Sequence, residues 1–484
     1  MLNVKFPSFQ GYRSNGQNSI VRLYFLKKLV GCSVLIKAVP SPRERARERT
    51  SWQDFTFPLF SFFGLTSPSP SQEGGQILCE LETCRPDRRV CRIPIQFGIL
   101  TTLFFLSASA VLAQSTEEPT ANVLSSIKFT KKSIASENYE SVGVFDVNNN
   151  GMPDLVSGGF WYEGPDYSKR HAIGQPKRYG EYYDHFSTIP LDVNGDGKMD
   201  FVTGGWFGKQ LVWKENTGTA DEWPEHFIAE AGNIETTRAW DIDGDGVLEI
   251  LPNTPNDPLV IHRLIMDAEG KGTGSFEANQ IMGKHGHGLG FGDINGDGRK
   301  DLIVPKGWLE SPEKPFENDW VFHEEFDLGT ASVPILITDV NADGLTDFIV
   351  GQGHGYGLHW YEQKAQKKSA DPKWKKHVID PFNSQYHTME WEDLDGDGQN
   401  ELITGKRYKA HNGKDPGGND PIGLYYFRWT GEHFSKQVID YGAYGEGKGT
   451  GVYFCVSDLN GDNRKDIIVA GKDGLTVYYN NGND

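Results

Sequence analysis

Seven short acidic segments, starting at Asp146, Asp192, Asp241, Asp293, Asp339, Asp393 and Asp458, place oxygen-bearing side chains at alternate positions. In the fullest, Asp293-Ile-Asn295-Gly-Asp297-Gly298-Arg-Lys-Asp301, these oxygens fall at positions 1, 3, 5 and 9, and a glycine stands at 6. Carboxylate and amide oxygens so spaced can converge on one hard cation while glycine takes the strained dihedral of the turn, and calcium is the natural occupant. The expected ligand sets are Asp192, Asn194, Asp196 and Asp200; Asp241, Asp243, Asp245 and Glu249; and Asp293, Asn295, Asp297 and Asp301. They continue with Asp339, Asn341, Asp343 and Asp347; Asp393, Asp395, Asp397 and Glu401; and Asp458, Asn460, Asp462 and Asp466. The copy with Asp146, Asn148 and Asn150, and the last, with Asn463 in place of glycine, are expected to bind more weakly.

A second set could do chemistry of another kind. Of 13 histidines, six (His185, His285, His287, His354, His387 and His411) fall in segments that also carry Lys306, Arg407, Tyr386, Arg238 and several aromatics. His285 and His287 are spaced i, i+2 and would point to one side of an extended segment. With His354 they are candidate ligands for zinc or another divalent ion, and His387 is a candidate further ligand. Trp161, Trp206, Trp308 and Tyr408, joined by Arg238 and His411, are candidate substrate contacts, the rings acting as apolar platforms.

What must position these residues is a repeat. An EF-hand is excluded, because position 12 carries Val304, Thr203 or Thr404 and a Leu-Ile-Val, Phe-Val-Thr or Leu-Ile-Thr run stands where a helix would start. Each acidic loop therefore joins two strands. The loop starts are 46, 49, 52, 46, 54 and 65 residues apart, which suits one four-stranded blade per unit stacked around an axis. Thr237–Trp240, Leu248–Pro252 and Pro258–Leu264 illustrate the first three strands. Outer strands carry Trp223-Pro-Glu-His226, Trp320-Val-Phe-His323 and Trp374-Lys-Lys-His377, which read as packing. The last unit has no fourth strand after Gly474–Tyr479, whereas Ile127–Ile134 matches the outer-strand pattern ahead of the first. That strand is expected to close a seven-bladed, all-β propeller by pairing near Val477, which removes a sheet edge.

The ends and the charge narrow the class. Ile93–Ala113 is an apolar stretch preceded by Arg85, Arg88, Arg89 and Arg92 and closing in small residues, the pattern of a secretory signal peptide. Residues 1–92 read as a leader outside the fold, disordered or arising from an over-extended translation start, and 114–126 as a linker to the propeller at 127–484. An exported protein without a transmembrane span in the mature chain is expected. Beyond residue 113 there are 34 basic and 59 acidic side chains, a net charge of −25, which disfavours nucleic acid as a partner. Cys455 is the one cysteine of that part, so it forms no internal disulfide. The sequence does not fix an oligomeric state.

Loops followed by Leu155-Val-Ser-Gly-Gly159, Phe201-Val-Thr-Gly-Gly205 and Phe348-Ile-Val-Gly351 resemble the FG-GAP, or VCBS, repeats of integrin α-subunit propellers and many exported bacterial proteins. That resemblance covers about residues 127–484 and implies fold and calcium. A narrower one comes from His285-Gly-His287-Gly-Leu-Gly-Phe-Gly-Asp293, Val304-Pro-Lys306-Gly-Trp308-Leu-Glu310 and Gly405-Lys406-Arg407-Tyr408 through His411-Asn-Gly413. These are similar to the propeller of fungal aldos-2-ulose dehydratase, whose cupin-like domains have no counterpart in this sequence. The resemblance implies a metal-dependent lyase or dehydratase acting on a keto-sugar, with His387 and Tyr386 moving protons and Lys306 or Arg407 steadying an enolate oxygen. The alternative is a non-catalytic, calcium-stabilised adhesion or glycan-binding propeller.

Overall fold

The computed structural model describes residues 126–219, 222–365 and 373–483, together with two three-residue strands, Ile20–Arg22 and Leu35–Lys37, that pair antiparallel. Residues 1–115 and 116–484 form separate compact units. The apolar run Ile93–Ala113, the rest of the leader and residues 114–125 lie outside the described residues. No helix among the described residues is long and apolar enough to cross a membrane.

The second unit contains seven four-stranded antiparallel sheets. Blade 1 is Gly143–Phe145, Asp154–Ser157, Phe160–Glu163 and Lys169–Ala172; blade 2 is Ile189–Leu191, Asp200–Gly204, Gln210–Lys214 and Glu225–Glu230. Blade 3 is Thr236–Trp240, Glu249–Asn253, Pro258–Met266 and Gly272–Lys284; blade 4 is Gly290–Gly292, Asp301–Val304, Gly307–Glu310 and Val321–Glu324. Blade 5 is Leu336–Thr338, Asp347–Gly351, Tyr356–Gln363 and Trp374–Ser384; blade 6 is Tyr386–Glu392, Glu401–Lys406, Ile422–Trp429 and Phe434–Gly442. Blade 7 takes Cys455–Ser457, Asp466–Gly471 and Gly474–Asn483 from the end of the chain and Ile127–Ala135 from before blade 1. The expected closure is present, with Lys132 opposite Val477 and Phe129 opposite Asn480.

The apolar runs after the acidic loops are buried on both faces. Leu302 and Val304 enter a core shared with Leu251, Leu259 and Leu289 of blade 3 and its exit, whereas the intervening Ile303 packs with Phe348 and Val350 of blade 5. Alternate side chains of one strand thus fill two different interblade cores, which is why these strands read as continuous rather than alternating apolar runs.

One packing device recurs in four blades. Trp161, Trp213, Trp308 and Trp360 on third strands stack on outer-strand His171, His226, His323 and His377, with ring centroids 4.1–4.3 Å apart. Each histidine reaches a glutamate two residues beyond its tryptophan: Glu163, Glu215, Glu310 or Glu362. Trp161 and Trp308 are therefore buried between strands. The expectation that they offer open faces to a sugar is corrected by this stacking.

The acidic loops are pinned by their own carboxylates. In the blade 2 loop, Asp192 accepts the backbone N–H groups of Asp196 and Gly197 at 3.1 and 3.0 Å. Position 6 lies in the left-handed region, from Asn463 at φ 63° to Gly246 and Gly298 at φ 89°, a conformation that asparagine tolerates. In five blades the position-9 aspartate binds backbone N–H groups with both oxygens, as Asp200 does with Val193 and Asn216 at 3.0 and 2.7 Å. Glu249 and Glu401 differ. Each spends one oxygen on an N–H; the other has no hydrogen-bond partner among the described residues in Glu249 and accepts from Arg428 Nε at 3.1 Å in Glu401. Asp241, Asp243 and Glu249, like Asp393, Asp395 and Glu401, offer ligand atoms within 4.8 Å of one another.

Candidate functional site

The segments that enter the first strands carry one residue each at a fixed offset, six positions before the first loop aspartate: Glu140, Phe186, Glu235, His287, Val333, His387 and Val452. Equal offsets in equivalent blades put these residues at one level of the propeller. Three positions further on, Gly143, Ile189, Arg238, Gly290, Leu336, Glu390 and Cys455 make a second level. There Arg238 of blade 3 binds Glu390 of blade 6 at 3.0 Å, and also donates to Thr388 Oγ1 and the Val333 carbonyl. Its guanidinium lies over the Tyr453 ring. Arg238 is thus committed to an ion pair below the upper level.

The upper level is built around Glu235 and Arg407. Glu235 Oε1 accepts from Arg407 Nη1 at 2.8 Å and from His387 Nε2 at 2.9 Å, and lies 3.8 and 3.9 Å from Nε2 of His287 and His354. Arg407 Nε donates to Glu140 Oε1 at 2.9 Å, leaving Glu140 Oε2 buried without a partner. Burial by itself would raise the Glu235 carboxyl, but the neighbouring His287 and His387 and the Arg407 charge hold it well below the usual carboxylate range.

Both imidazoles next to it have one nitrogen spoken for. His287 Nδ1 is 2.7 Å from the Ala331 carbonyl and His354 Nδ1 is 2.9 Å from Asp415 Oδ2, so each Nδ1 carries the donated proton. Their Nε2 atoms face each other at 3.0 Å. Burial lowers His354 to about 4 and His387 in the same direction, which keeps these rings neutral at pH 7. Two Nε2 atoms so arranged, with both Nδ1 protons committed elsewhere, make a favourable contact only when a proton or a cation lies between them. His287, His354, His387 and Glu235 each offer one ligand atom, all within 4.8 Å of one another. Three nitrogens and a carboxylate oxygen form the donor set of a borderline divalent ion such as zinc.

The other sequence candidates lie elsewhere. His285 is outside this cluster: its Nε2 is 3.0 Å from Asn253 Nδ2. Gly286, at φ 88°, breaks the extended geometry that would have aligned it with His287. Tyr386 is fully buried, and its hydroxyl donates at 2.8 Å to Asp380 of the blade 5 outer strand. Lys306 is paired with Asp327 on the exposed surface. Trp206 packs beside Tyr182, Phe186 and Val452, while Tyr408 stacks on exposed Tyr444, one residue from Arg407. His411 stacks on His354 at 4.4 Å.

Glu235 and Glu140 are absent from the sequence-based ligand and catalytic sets. The six-residue offset from the loop aspartates would have found both. Asp415 has no such signal, because it sits in a glycine-rich excursion between two strands.

Among sequence families, the chain matches the FG-GAP-like repeat over residues 192–251 and 339–404. No curated protein matches it in sequence. Solved structures similar in fold include an Agrocybe aegerita lectin that recognises non-reducing terminal N-acetylglucosamine, at 16% identity over 65% of this chain and 81% of that one, with a TM-score of 0.37. Another is BBS1N in complex with ARL6DN, at 10% identity over 74% of this chain and 97% of that one, with a TM-score of 0.42. Seven blades joined by acidic hairpin loops, two stretches of which match a family outright, make this chain a β-propeller carrying FG-GAP-like repeats.

Proposed function

We propose that this propeller is an exported, metal-dependent lyase that removes water from a keto-sugar or related saccharide at the cluster formed by Glu235, His287, His354 and His387. The observation that carries the reading is the pair of Nε2 atoms of His287 and His354, 3.0 Å apart with both Nδ1 protons committed elsewhere. A divalent ion there would supply Lewis acidity toward a substrate carbonyl oxygen. Arg407 holds Glu235 in place and balances its charge. Glu140 Oε2 is a carboxylate oxygen at the same level with no other duty. It takes the proton from the carbon next to the carbonyl and returns it to the hydroxyl that leaves from the following carbon, so that water departs and a double bond forms. Export rests on the charge and length of the 85–113 segment.

Metal analysis of the purified protein, with methyl 2-ketoglucoside as probe, whose C3–H and C4 hydroxyl permit the loss of water, and enone absorbance as readout, tests the proposal. Zinc or a similar ion at one per chain, lost with elimination in His287→Ala and His354→Ala but retained in His285→Ala, is the expected result. Calcium alone, together with saccharide binding that His354→Ala leaves intact, would replace this reading with the non-catalytic glycan-binding propeller.

We further place calcium at the loops of blades 3 and 6, where Asp241, Asp243 and Glu249, and Asp393, Asp395 and Glu401, converge. The buried glutamates are pushed up to about 7, chiefly by burial and with a contribution from neighbouring aspartates, which marks negative charge that a cation would offset.

A further inference from the structure

Between the second and third strands of blade 6, residues 407–421 leave the sheet, and Asp415 within them reaches His354. Asp415 Oδ2 accepts from His354 Nδ1 at 2.9 Å and from Gln385 Nε2 at 3.4 Å, while Oδ1 accepts from His411 Nδ1 at 2.9 Å. The two rings stack with planes 11° from parallel. One carboxylate therefore grips both by the same nitrogen, and both Nε2 atoms face away from it. A carboxylate on Nδ1 decides which nitrogen carries the proton and raises the basicity of the other.

The backbone around this contact is unusual. Nine non-glycine residues among those described have positive φ, and four of them, Gln385 (62°), Lys409 (50°), His411 (47°) and Asn412 (57°), surround Asp415 and its partners. Such conformations are disfavoured when a Cβ is present and persist only where other contacts over-determine them. Those contacts exist. Lys472 Nζ donates to the Lys409 carbonyl at 2.8 Å, and the buried Lys406 ammonium donates to Ser384 Oγ and the Gly417 carbonyl. The Asn412 N–H donates to Tyr182 Oη at 3.1 Å, and Tyr356 donates to Asp420 at 2.5 Å. The turn is held in an unfavourable shape from four sides, and that shape presents Asp415 to His354.

We propose that Asp415 is a positioning residue for the channel metal: it fixes His354 in the tautomer and orientation that direct Nε2 at the ion. It touches neither ion nor substrate and acts through His354. This inference rests on the metal reading above. The test is Co2+ titration of the full chain, followed by the visible absorption of the bound ion, with nitrogen-15 NMR of the histidines. Asp415→Ala weakens Co2+ binding by about 10–100-fold and removes the deshielded Nδ1–H signal of His354; Asp415→Asn, whose amide oxygen still accepts, falls between. Asp420→Asn, which breaks the Tyr356 contact in the same segment, keeps the affinity within about twofold if that segment's general stability is not what matters. Undiminished affinity in Asp415→Ala, or an equal loss in Asp420→Asn, overturns the assignment and leaves the metal reading standing. No cobalt spectrum in the unmodified protein overturns the metal reading and this inference with it.

Discussion

Glu235 and Arg407 meet at 2.8 Å from blades 3 and 6, 172 positions apart in sequence, both side chains almost wholly withdrawn from solvent. Arg407 also satisfies Glu140 of the segment entering blade 1, so one guanidinium neutralises carboxylates from two distant parts of the ring. Removing it leaves two buried charges uncompensated. Arg407→Met is expected to lower unfolding stability by about 3–5 kcal/mol, as read by urea denaturation. The double change Arg407→Met with Glu235→Gln recovers part of that loss. A cost under about 1 kcal/mol for the single change, the range of exposed pairs, would contradict the burial described above.

Calcium binding is expected to discriminate between loops. Glu249→Gln and Glu401→Gln should each remove one calcium per chain in equilibrium dialysis, because the amide has no charge and the site loses its buried ligand. Arg263 and Arg428 reach Asp243 and Asp395 of these same loops and compete with an ion for them. Arg263→Gln is therefore expected to tighten calcium binding several-fold, and unchanged affinity would show that the arginine and the ion do not share these oxygens.

Lys406 gives a pH signature. Burial lowers its ammonium to about 8, with Asp420 and Asp415 pulling the other way. In the unfolded chain the same amine keeps its proton to about 10.4. Between these values the unfolded state binds the extra proton, so stability rises with pH over that window and falls back as pH drops through 8. Lys406→Met should flatten the rise, most cleanly read between pH 8 and 10, before tyrosines ionise. An identical slope in wild type and variant would mean that the amine stays solvated.

Ring closure depends on Ile127–Ala135. Deleting it uncovers the Gly474–Asn483 strand along its length and exposes an edge that pairs readily with other chains. The truncated protein is expected to melt lower and to aggregate, by calorimetry and light scattering. A truncation as stable and monomeric as the parent would show that the sheet is complete without this strand.

Much of this was legible because it repeats. Seven loop aspartates fixed the hairpins, and the unmatched third strand at 474–479 pointed to its partner at 127–134. The site was harder to read for a physical reason: its side chains come from blades 3, 4, 5 and 6, and no local spacing records their convergence. Counting histidines away from the outer strands nonetheless singled out His287, His354 and His387, whose rings lie together in the structure. His285 misled, because a period-two argument assumes an extended chain and the intervening Gly286 has positive φ. Trp161 and Trp308 misled because the histidines that cover them lie on the next strand, where they had already been read as packing.

The constant offset between the loop aspartates and the side chains at the axis gives this scaffold something like an address system. Each blade supplies one position per level, and in blades 2 and 7 the upper-level residues Phe186 and Val452 pack with Tyr182 and Trp206 rather than in the cores that hold neighbouring blades together. Phe186 and Val452 are vacant addresses in that sense: a ligand, base or cation installed at either would stand at the level of Glu235 and His287 from a new bearing, with the hairpins and interblade cores left untouched.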